Sequence, residues 1–286
     1  MLSKPLVSVV ITTFNCESFI KQTLNSVINQ TYKNLEIIVV DDDSTDRTRE
    51  IVENILLSDK RISFHIIEHA GRPSVPRNFG ISKASGEFIA FLDGDDVWVE
   101  NKIELQLTKL IECAGSVLIY SMSITFGDVN IFSPFFEVLP LLNRKALTRE
   151  ELIKNGNCIP TSTVIVRSEK IKSVGGFDED PQLKVEDYDL WIRLGNLGTF
   201  CFLPRIQTYY RVHKNQFSGN WEVKQNNIKY LAEKNNYEIP TYKYYRNKGF
   251  FLLMLRNSYH VLNYLIAGLG SILDNIKAVT LRNHIE

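Results

Sequence analysis

The sequence is poor in cysteine. It has four cysteines among 286 residues, at positions 16, 113, 158 and 201. They form no CxxC pair and no Cys/His spacing typical of zinc, which argues against a structural metal module. We therefore expect four reduced thiols in the core of a cytosolic protein.

The sequence also lacks net charge. Lys plus Arg and Asp plus Glu both number 33, so the formal net charge is zero. There is no overall basic field of the kind that recruits nucleic acid, and polyanion binding is disfavoured.

Long uncharged apolar runs are missing as well. The most apolar stretch near the C-terminus, residues 250–273, is interrupted by Arg256, Asn257, His260 and Asn263. A membrane-spanning helix needs about 20 nearly uncharged residues, so none is expected here. The N-terminus has no basic region followed by a long apolar segment, because polar residues return at Thr12, and secretion is not expected.

The first hundred residues alternate between short β-branched runs and helical patterns. The runs at 6–12, 35–42, 62–68 and 86–93 predict buried strands. Helical periodicity lies between them at 17–29 and after Asp46, which we interpret as an N-cap. This order predicts an α/β protein with a Rossmann-like, mainly parallel sheet flanked by helices. Ligands in such sheets bind at the carboxyl ends of strands, where "TTFN", "DDDST" and "DGDD" all fall.

The chain beyond residue 98 is less regular. A helix is predicted at 99–112 and a strand at 116–126. The character becomes helical after residue 218. Apolar residues there follow a heptad pattern, at Leu252, Leu255, Tyr259, Leu262, Ile266, Leu269, Leu273 and Ile276. The stripe is interpreted first as packing on the main domain, and next as self-association or peripheral contact with a membrane surface.

Three acidic residues close the fourth predicted strand in "FIAFLDGDDVW". Asp93, Asp95 and Asp96 would repel one another unless a cation or donors compensate. Carboxylate oxygens suit Mg²⁺ or Mn²⁺, and Gly94 would let a ligand approach closely. The alternative is that this turn only caps the next helix.

An ordered set of motifs resembles the family 2 nucleotide-sugar glycosyltransferases of the GT-A fold. It comprises residues 5–48, then "PRNFGISKASGEFIAFLDGDD", "GGFDE", "EDYDLW" and "YYRVH". The similarity spans roughly residues 5–218. It implies a GT-A catalytic domain at 1–218 and a C-terminal helical extension at 219–286.

The resemblance implies roles for the acidic turn. Asp95 would bind Mg²⁺ or Mn²⁺, Asp93 would lie near the ribose or a metal-bound water, and Asp96 would support the turn. The cation would neutralise the diphosphate leaving group of a nucleotide-sugar donor. His213 would face the metal or phosphate and Arg211 the diphosphate, although a lone His is often only a satisfied core or surface residue.

The family pattern also places Thr12, Phe14 and Asp42 around the nucleobase, with uridine the first choice and thymidine the second. For Phe14, ordinary loop packing remains an alternative, and Asp42 could be a solvated turn residue. Arg77, with Asn78, matches a position near the donor where it could pair with phosphate. The alternative is a surface arginine.

The acceptor hydroxyl needs a general base, and the resemblance assigns that role to Asp187. Consecutive helical residues point about 100° apart, so only one of Glu186 and Asp187 should face the donor. Asp189 is expected to cap the helix or face solvent. Alternatively, the acids are simply the charged first turn of a helix.

The resemblance, together with these residues, implies an inverting, metal-dependent glycosyltransferase. It would move one sugar, from a UDP-sugar in the first instance, to a hydroxyl of a glycan or lipid-linked glycan precursor. The Gln/Arg-x-x-Arg-Trp motif of processive relatives is missing, which agrees with the transfer of a single sugar. We expect a cytoplasmic location, with a peripheral site at the inner membrane face as an option.

Two other classes of function remain open. "VVDDDST" also fits an aspartyl-phosphate phosphatase that uses Asp41 as nucleophile and Asp43 as acid/base. The second alternative is a non-catalytic relative that binds sugar nucleotides.

Overall fold

The computed structural model describes residues 4–127, 138–140, 145–213 and 221–237. Nine strands form one sheet. They are β1 (Val7–Thr13), β2 (Leu35–Asp41), β3 (Ile62–Ile66), β4 (Phe88–Asp93), β5 (Val97–Trp98), β6 (Ser116–Gly127), β7 (Val138–Leu139), β8 (Ile165–Arg167) and β9 (Thr199–Val212).

Eight α-helices accompany the sheet in the described residues. They are α1 (Ile20–Ile28), α2 (Thr48–Leu56), α3 (Ser74–Lys83), α4 (Lys102–Glu112), α5 (Arg149–Asn155), α6 (Ser168–Ser173), α7 (Glu186–Gly195) and α8 (Trp221–Lys234). The predicted strands and helices of the first hundred residues are all present, with ends shifted by a few residues.

The sheet has the order β3-β2-β1-β4-β8-β6-β9-β5, with β7 paired to β6. Strands β1 to β4 are mutually parallel, as predicted. The second half is mixed: β8 is antiparallel to β4 and β6, whereas β6 and β9 are parallel. The α/β class is therefore confirmed, and its parallel part carries the strand ends that matter for the site.

Both faces of the sheet are buried. On β1, Val10 belongs to one apolar cluster, whereas Val9 and Ile11 belong to the other. Helices α1, α2 and α4 cover the second face, and α3 and α5 to α8 supply the first. Burial on both sides explains why these strands appear as continuous apolar runs rather than alternating ones.

Helix α3 approaches β1 unusually closely. A side chain at Gly80 would collide with Val10, so glycine is required where the helix crosses the strand. Arg77 lies one turn earlier, and it and Gly80 are both buried. Because α3 crosses β1 so closely, the Arg77 guanidinium lies near the carboxyl end of β4, where it pairs with Asp93.

The cysteine prediction is wrong in part. Cys113 and Cys201 form a disulfide between the end of α4 and the start of β9, while Cys16 and Cys158 remain reduced. The two partners are 88 residues apart, and the long-range pairing that unites them left no local signal in the sequence.

The predicted extension begins at residue 219, inside the undescribed range 214–220. Its first described helix, α8, contributes Leu231 to the core cluster. The heptad stripe lies outside the described residues, so both it and the domain boundary stay predictions. Within the described residues, no helix is long and apolar enough to cross a membrane.

Candidate active site

The acidic turn follows β4 directly and is held from both sides. Gly94 donates its N–H to the Thr12 carbonyl at 2.9 Å, and Asp93 donates its N–H to Ser162 Oγ at 3.2 Å. A Cβ on Gly94 would lie 3.0 Å from Thr12 O and from the Thr13 side chain. A larger residue at this position would therefore crowd β1, and the close approach of the donor at Gly94 stays a prediction. The turn does not cap a helix either, because β5 intervenes before α4.

Asp95 and His213 are in direct contact. The His213 Nε2 lies 2.9 Å from Asp95 Oδ2, with both side chains about four-fifths buried, at 18% and 21% exposure. Burial raises the pKa of Asp95, and the neighbouring Asp93 carboxylate raises it further. The negative charge of an ionised Asp95 is therefore incompletely compensated by its surroundings, and a bound cation would stabilise it.

Arg211 ties the end of β9 to the same turn. Its backbone N–H donates to Asp96 Oδ1 at 2.8 Å, its Nε donates to the Asp95 carbonyl at 2.6 Å, and its Nη2 donates to Gln22. The guanidinium also lies 4.5 Å from the centre of the Phe19 ring. Asp96 is buried, and burial raises its pKa well above the usual range. Its role as a support of the turn matches its contact with β9.

Arg77 joins the acidic turn to helix α7. It is 5% exposed, so the surface alternative is wrong. Its Nη2 donates to Asp93 Oδ1 and its Nη1 donates to Glu186 Oε1, both at 2.7 Å. Both terminal nitrogens are thus engaged by carboxylates, and the predicted pairing with a donor phosphate would have to compete with these bonds.

The first turn of α7 presents Glu186 and Asp187 to different partners, as their helical spacing predicts. Glu186 is buried against Arg77. Asp187 is partly exposed; its Oδ2 accepts from Asn157 Nδ2 at 3.0 Å and its Oδ1 from the Tyr188 N–H at 2.7 Å. Burial raises the pKa of both carboxyls, and Arg77 opposes the rise. A carboxylate with a raised pKa on a partly exposed residue is suited to accept a proton.

Asp189 does not face solvent, contrary to our expectation. It is 1% exposed and accepts bonds from Arg193, at 2.7 Å, and from Asn235 Nδ2, at 2.9 Å. Arg193 in turn donates to the carbonyls of Val174 and Gly176. Asp189 therefore holds α7 to Asn235, just beyond α8, and through Arg193 to the Val174 and Gly176 carbonyls.

Phe14 follows β1 and Asp42 follows β2. The two residues share one neighbour, His69. Asp42 is buried, and its Oδ1 accepts the Ala70 N–H at 2.7 Å. His69 Nδ1 lies 3.1 Å from Asp42 Oδ2, and its ring stacks on Phe14 at 4.4 Å. Phe14 is 44% exposed, so it is not packed away as core, and the solvated alternative for Asp42 is wrong.

The residues needed for the phosphatase alternative are already occupied. Asp41 is fully buried and accepts bonds from the Ser44 N–H, the Ser44 hydroxyl and Arg49 Nε. Asp43 pairs with the same arginine. A nucleophile needs an accessible, unengaged oxygen, and Asp41 has none.

The donor set of the acidic turn fits a divalent cation only in part. Two partly exposed carboxylates and an imidazole suit Mn²⁺ or Mg²⁺ by type. However, among the described residues no three such side chains form a ready-made metal cluster, and Asp93 is bonded to Arg77. Mg²⁺ sites of this kind are commonly completed by substrate phosphates and water, so the residues fit a metal that binds together with a diphosphate.

The structure adds residues that the sequence did not single out. Asn157 contacts Asp187, His69 contacts Asp42, and Gln22 contacts Arg211. Each lies 27 or more residues from its partner, so no local spacing could have revealed the pairs.

Comparisons with known proteins agree on the class. Residues 8–171 match the family model "Glycosyl transferase family 2". The chain is 33% identical over 249 residues to the UDP-Glc:alpha-D-GlcNAc-diphosphoundecaprenol beta-1,3-glucosyltransferase WfaP of Escherichia coli, which covers 85% of this chain and 94% of that relative. The chain belongs to glycosyltransferase family 2.

Solved structures share the fold. Staphylococcus aureus TarS 1-349 in complex with UDP-GlcNAc aligns with a TM-score of 0.66 at 22% identity, over 80% of this chain and 66% of that chain. The mannosyltransferase PcManGT of Pyrobaculum calidifontis, in complex with GDP-Man and Mn²⁺, aligns with a TM-score of 0.62 at 19% identity, over 84% of this chain and 67% of that chain. The predicted GT-A fold is confirmed, and the chain is a glycosyltransferase.

Proposed function

We propose that this glycosyltransferase transfers one sugar, with inversion, from a UDP-sugar to a hydroxyl of a lipid-linked glycan precursor. Two observations on relatives support the substrates. WfaP is named for a UDP-Glc donor and a diphosphoundecaprenol-linked acceptor, and TarS was solved with UDP-GlcNAc. Because PcManGT was solved with GDP-Man, the assay below compares donors with different nucleobases.

The observation that carries the proposal is the pair of salt bridges that Arg77 forms, one with Asp93 and one with Glu186. It fixes the acidic turn and the first turn of α7 at one end of the sheet, although they are more than 90 residues apart in the sequence. A transferase needs these two groups in one site, because one serves the leaving group and the other serves the attacking hydroxyl.

On the leaving-group side, we assign Asp95, Asp93 and His213 to a divalent cation and Arg211 to the diphosphate. The cation, when bound, would supply positive charge for the departing nucleoside diphosphate. Thr12, Phe14 and Asp42 would receive the nucleoside, with the exposed Phe14 ring as a stacking surface. Arg77 would contribute indirectly, by orienting Asp93.

On the attacking side, we assign Asp187 as the general base. Inversion requires a single displacement, in which one base takes the acceptor proton as the new bond forms. Asp187 is a partly exposed residue, whereas Glu186 is buried against Arg77. Burial raises the pKa of Asp187, and a stronger base is the better proton acceptor as long as it stays ionised at the working pH.

The test is a transfer assay with a panel of UDP-, dTDP- and GDP-sugars. The acceptor probe is GlcNAc α-linked through diphosphate to a synthetic alkyl chain, and the anomeric configuration of the product is read by NMR. Asp187→Asn keeps the shape but removes the basicity, so we expect transfer to slow roughly 10²- to 10⁴-fold, with nucleotide binding nearly unchanged. Glu186→Gln is the matched control and should be milder.

Normal transfer by Asp187→Asn together with an inactive Glu186→Gln would move the base by one residue. Retained activity in both variants, or a product of retained configuration, would contradict the mechanism. A lipid-linked acceptor would also place the enzyme at the cytoplasmic surface of the membrane. Peripheral membrane contact or self-association through residues 219–286 stays a prediction.

A further inference from the structure

We propose that Asn157 is a positioning residue for the catalytic carboxylate of Asp187, an inference that rests on the proposed function. The Asn157 amide holds the carboxylate in one orientation while leaving it room to take the acceptor proton. Neither the family resemblance nor the motifs of the sequence assign a role to Asn157.

The carboxylate of Asp187 is fixed by one donor on each oxygen. The Tyr188 N–H donates to Oδ1 at 2.7 Å, and Asn157 Nδ2 donates to Oδ2 at 3.0 Å. Two bonds on opposite oxygens prevent rotation about the Cβ–Cγ bond. Because each carboxylate oxygen can accept two hydrogen bonds, both oxygens keep capacity for the acceptor hydroxyl.

The loop that carries Asn157 is attached to the same helix as the base. Helix α5 ends at Asn155, and Gly156 follows with φ of 74°, a conformation that favours glycine. On either side of this turn, the Tyr188 hydroxyl donates to the Leu152 carbonyl at 3.4 Å and Trp191 Nε1 donates to the Ile159 carbonyl at 3.1 Å. Asn157 therefore keeps its place relative to α7.

A purely structural role for the side chain has little support. Asn157 is exposed, and its other side-chain bond is a long one of 3.4 Å from the Ile159 N–H. Substitution should therefore leave folding intact. The Asn157 amide donates its hydrogen bond to a partly buried carboxylate, and this contact is better explained as a means of orienting that carboxylate.

The charges around Asp187 come from three elements. Arg77 on α3 lowers its pKa, Asp93 at the end of β4 raises it, and Glu186 is its neighbour on α7. Burial raises the pKa, and the Asn157 hydrogen bond lowers it because the bond favours the ionised form. Loss of the Asn157 donor should therefore raise the pKa of Asp187. Because the base works only when it is ionised, the acidic limb of the pH–rate profile should then move to higher pH.

The experiment compares Asn157→Leu, Asn157→Asp and the control Asn155→Leu in the full-length chain. Asn155 lies two residues away, and its side chain donates to the Lys145 carbonyl within the part of the chain that the structure describes. With the acceptor probe above, we expect Asn157→Leu to lower kcat roughly 10- to 100-fold with little change in the KM for the donor. Its pH profile should move upward, Asn157→Asp should move it further because a negative charge is added, and Asn155→Leu should match wild type.

A second readout does not need the substrate. In protein labelled with ¹³C at aspartate carboxyls, the Asp187 signal is assigned by its loss in Asp187→Asn, and its titration should move upward in Asn157→Leu. An unchanged Asp187 titration and an unchanged pH profile would overturn the role of Asn157. If Asp187→Asn itself transfers sugar normally, the proposed function fails instead, and the two failures are thereby distinguished.

Discussion

Removing the Arg77 guanidinium tests how the two halves of the site are held together. Arg77→Met keeps most of the side-chain length but removes both charge-assisted bonds. Glu186 and Asp93 would then lose the same partner at the same distance, 2.7 Å. They differ in exposure, because the Glu186 side chain is 10% exposed and that of Asp93 is 30% exposed.

The difference in exposure sets the magnitude. Breaking a buried pair by removing one partner costs about 3–5 kcal/mol, because a buried charge is left uncompensated. Glu186 cannot regain water and should bear most of this cost, whereas Asp93 can be rehydrated. We therefore expect Arg77→Met to lower the free energy of unfolding by about 3–5 kcal/mol, with a larger coupling energy to Glu186→Gln than to Asp93→Asn.

The assay is urea unfolding followed by tryptophan fluorescence in chelator, on the three single variants and the two double variants. The deficit of Arg77→Met should also depend on pH. Loss of Arg77 raises the folded-state pKa of Glu186 further, so the destabilisation is present above that pKa. It should shrink as the pH falls toward the ordinary glutamate value of about 4.3. Equal coupling energies for the two carboxylates, or a deficit that grows at acid pH, would refute the reasoning.

Two further predictions concern the Asp95 carboxylate and the Cys113–Cys201 disulfide. Burial and Asp93 raise the pKa of Asp95, so Asp95→Asn should stabilise the metal-free protein at neutral pH while abolishing the thermal stabilisation by Mn²⁺ or Mg²⁺ with UDP; full activity in chelator would contradict the cation. The Cys113–Cys201 disulfide closes an 88-residue separation, so reductant should lower the free energy of unfolding by about 2–4 kcal/mol in wild type but not in Cys113→Ser.

The parallel half of the fold and its strand-end motifs could be predicted from the sequence. Continuous β-branched runs such as that of β2 identify strands buried on both faces, and parallel connections bring their carboxyl ends to one edge. The placement of Asp42, Asp93 and Asp95 at one edge of the sheet follows from that topology. The mixed half resisted prediction because β8 and β9 pair across long sequence separations, which no local period records.

The partners of the site residues could not be predicted for a related reason. Arg77 and Glu186 are 109 residues apart, and Asn157 precedes Asp187 by 30. Their meeting depends on how closely α3 crosses β1 at Gly80 and on where the loop after α5 lies on α7. Asp189 shows the same limit, because its burial comes from Arg193 and from Asn235 just beyond α8.

The balance of charge in the site bears on how a cation and a donor would bind. Burial raises the pKa of Asp95, Asp96, Glu186 and Asp187, so the site resists the ionised state that it needs. Arg77 forms ion pairs with Glu186 and Asp93 and also lowers the pKa of Asp187. A diphosphate would add negative charge, and a cation would lack ligands without it, because the described residues offer no complete metal cluster. We therefore expect each to raise the affinity of the other, since linkage between two ligands is reciprocal.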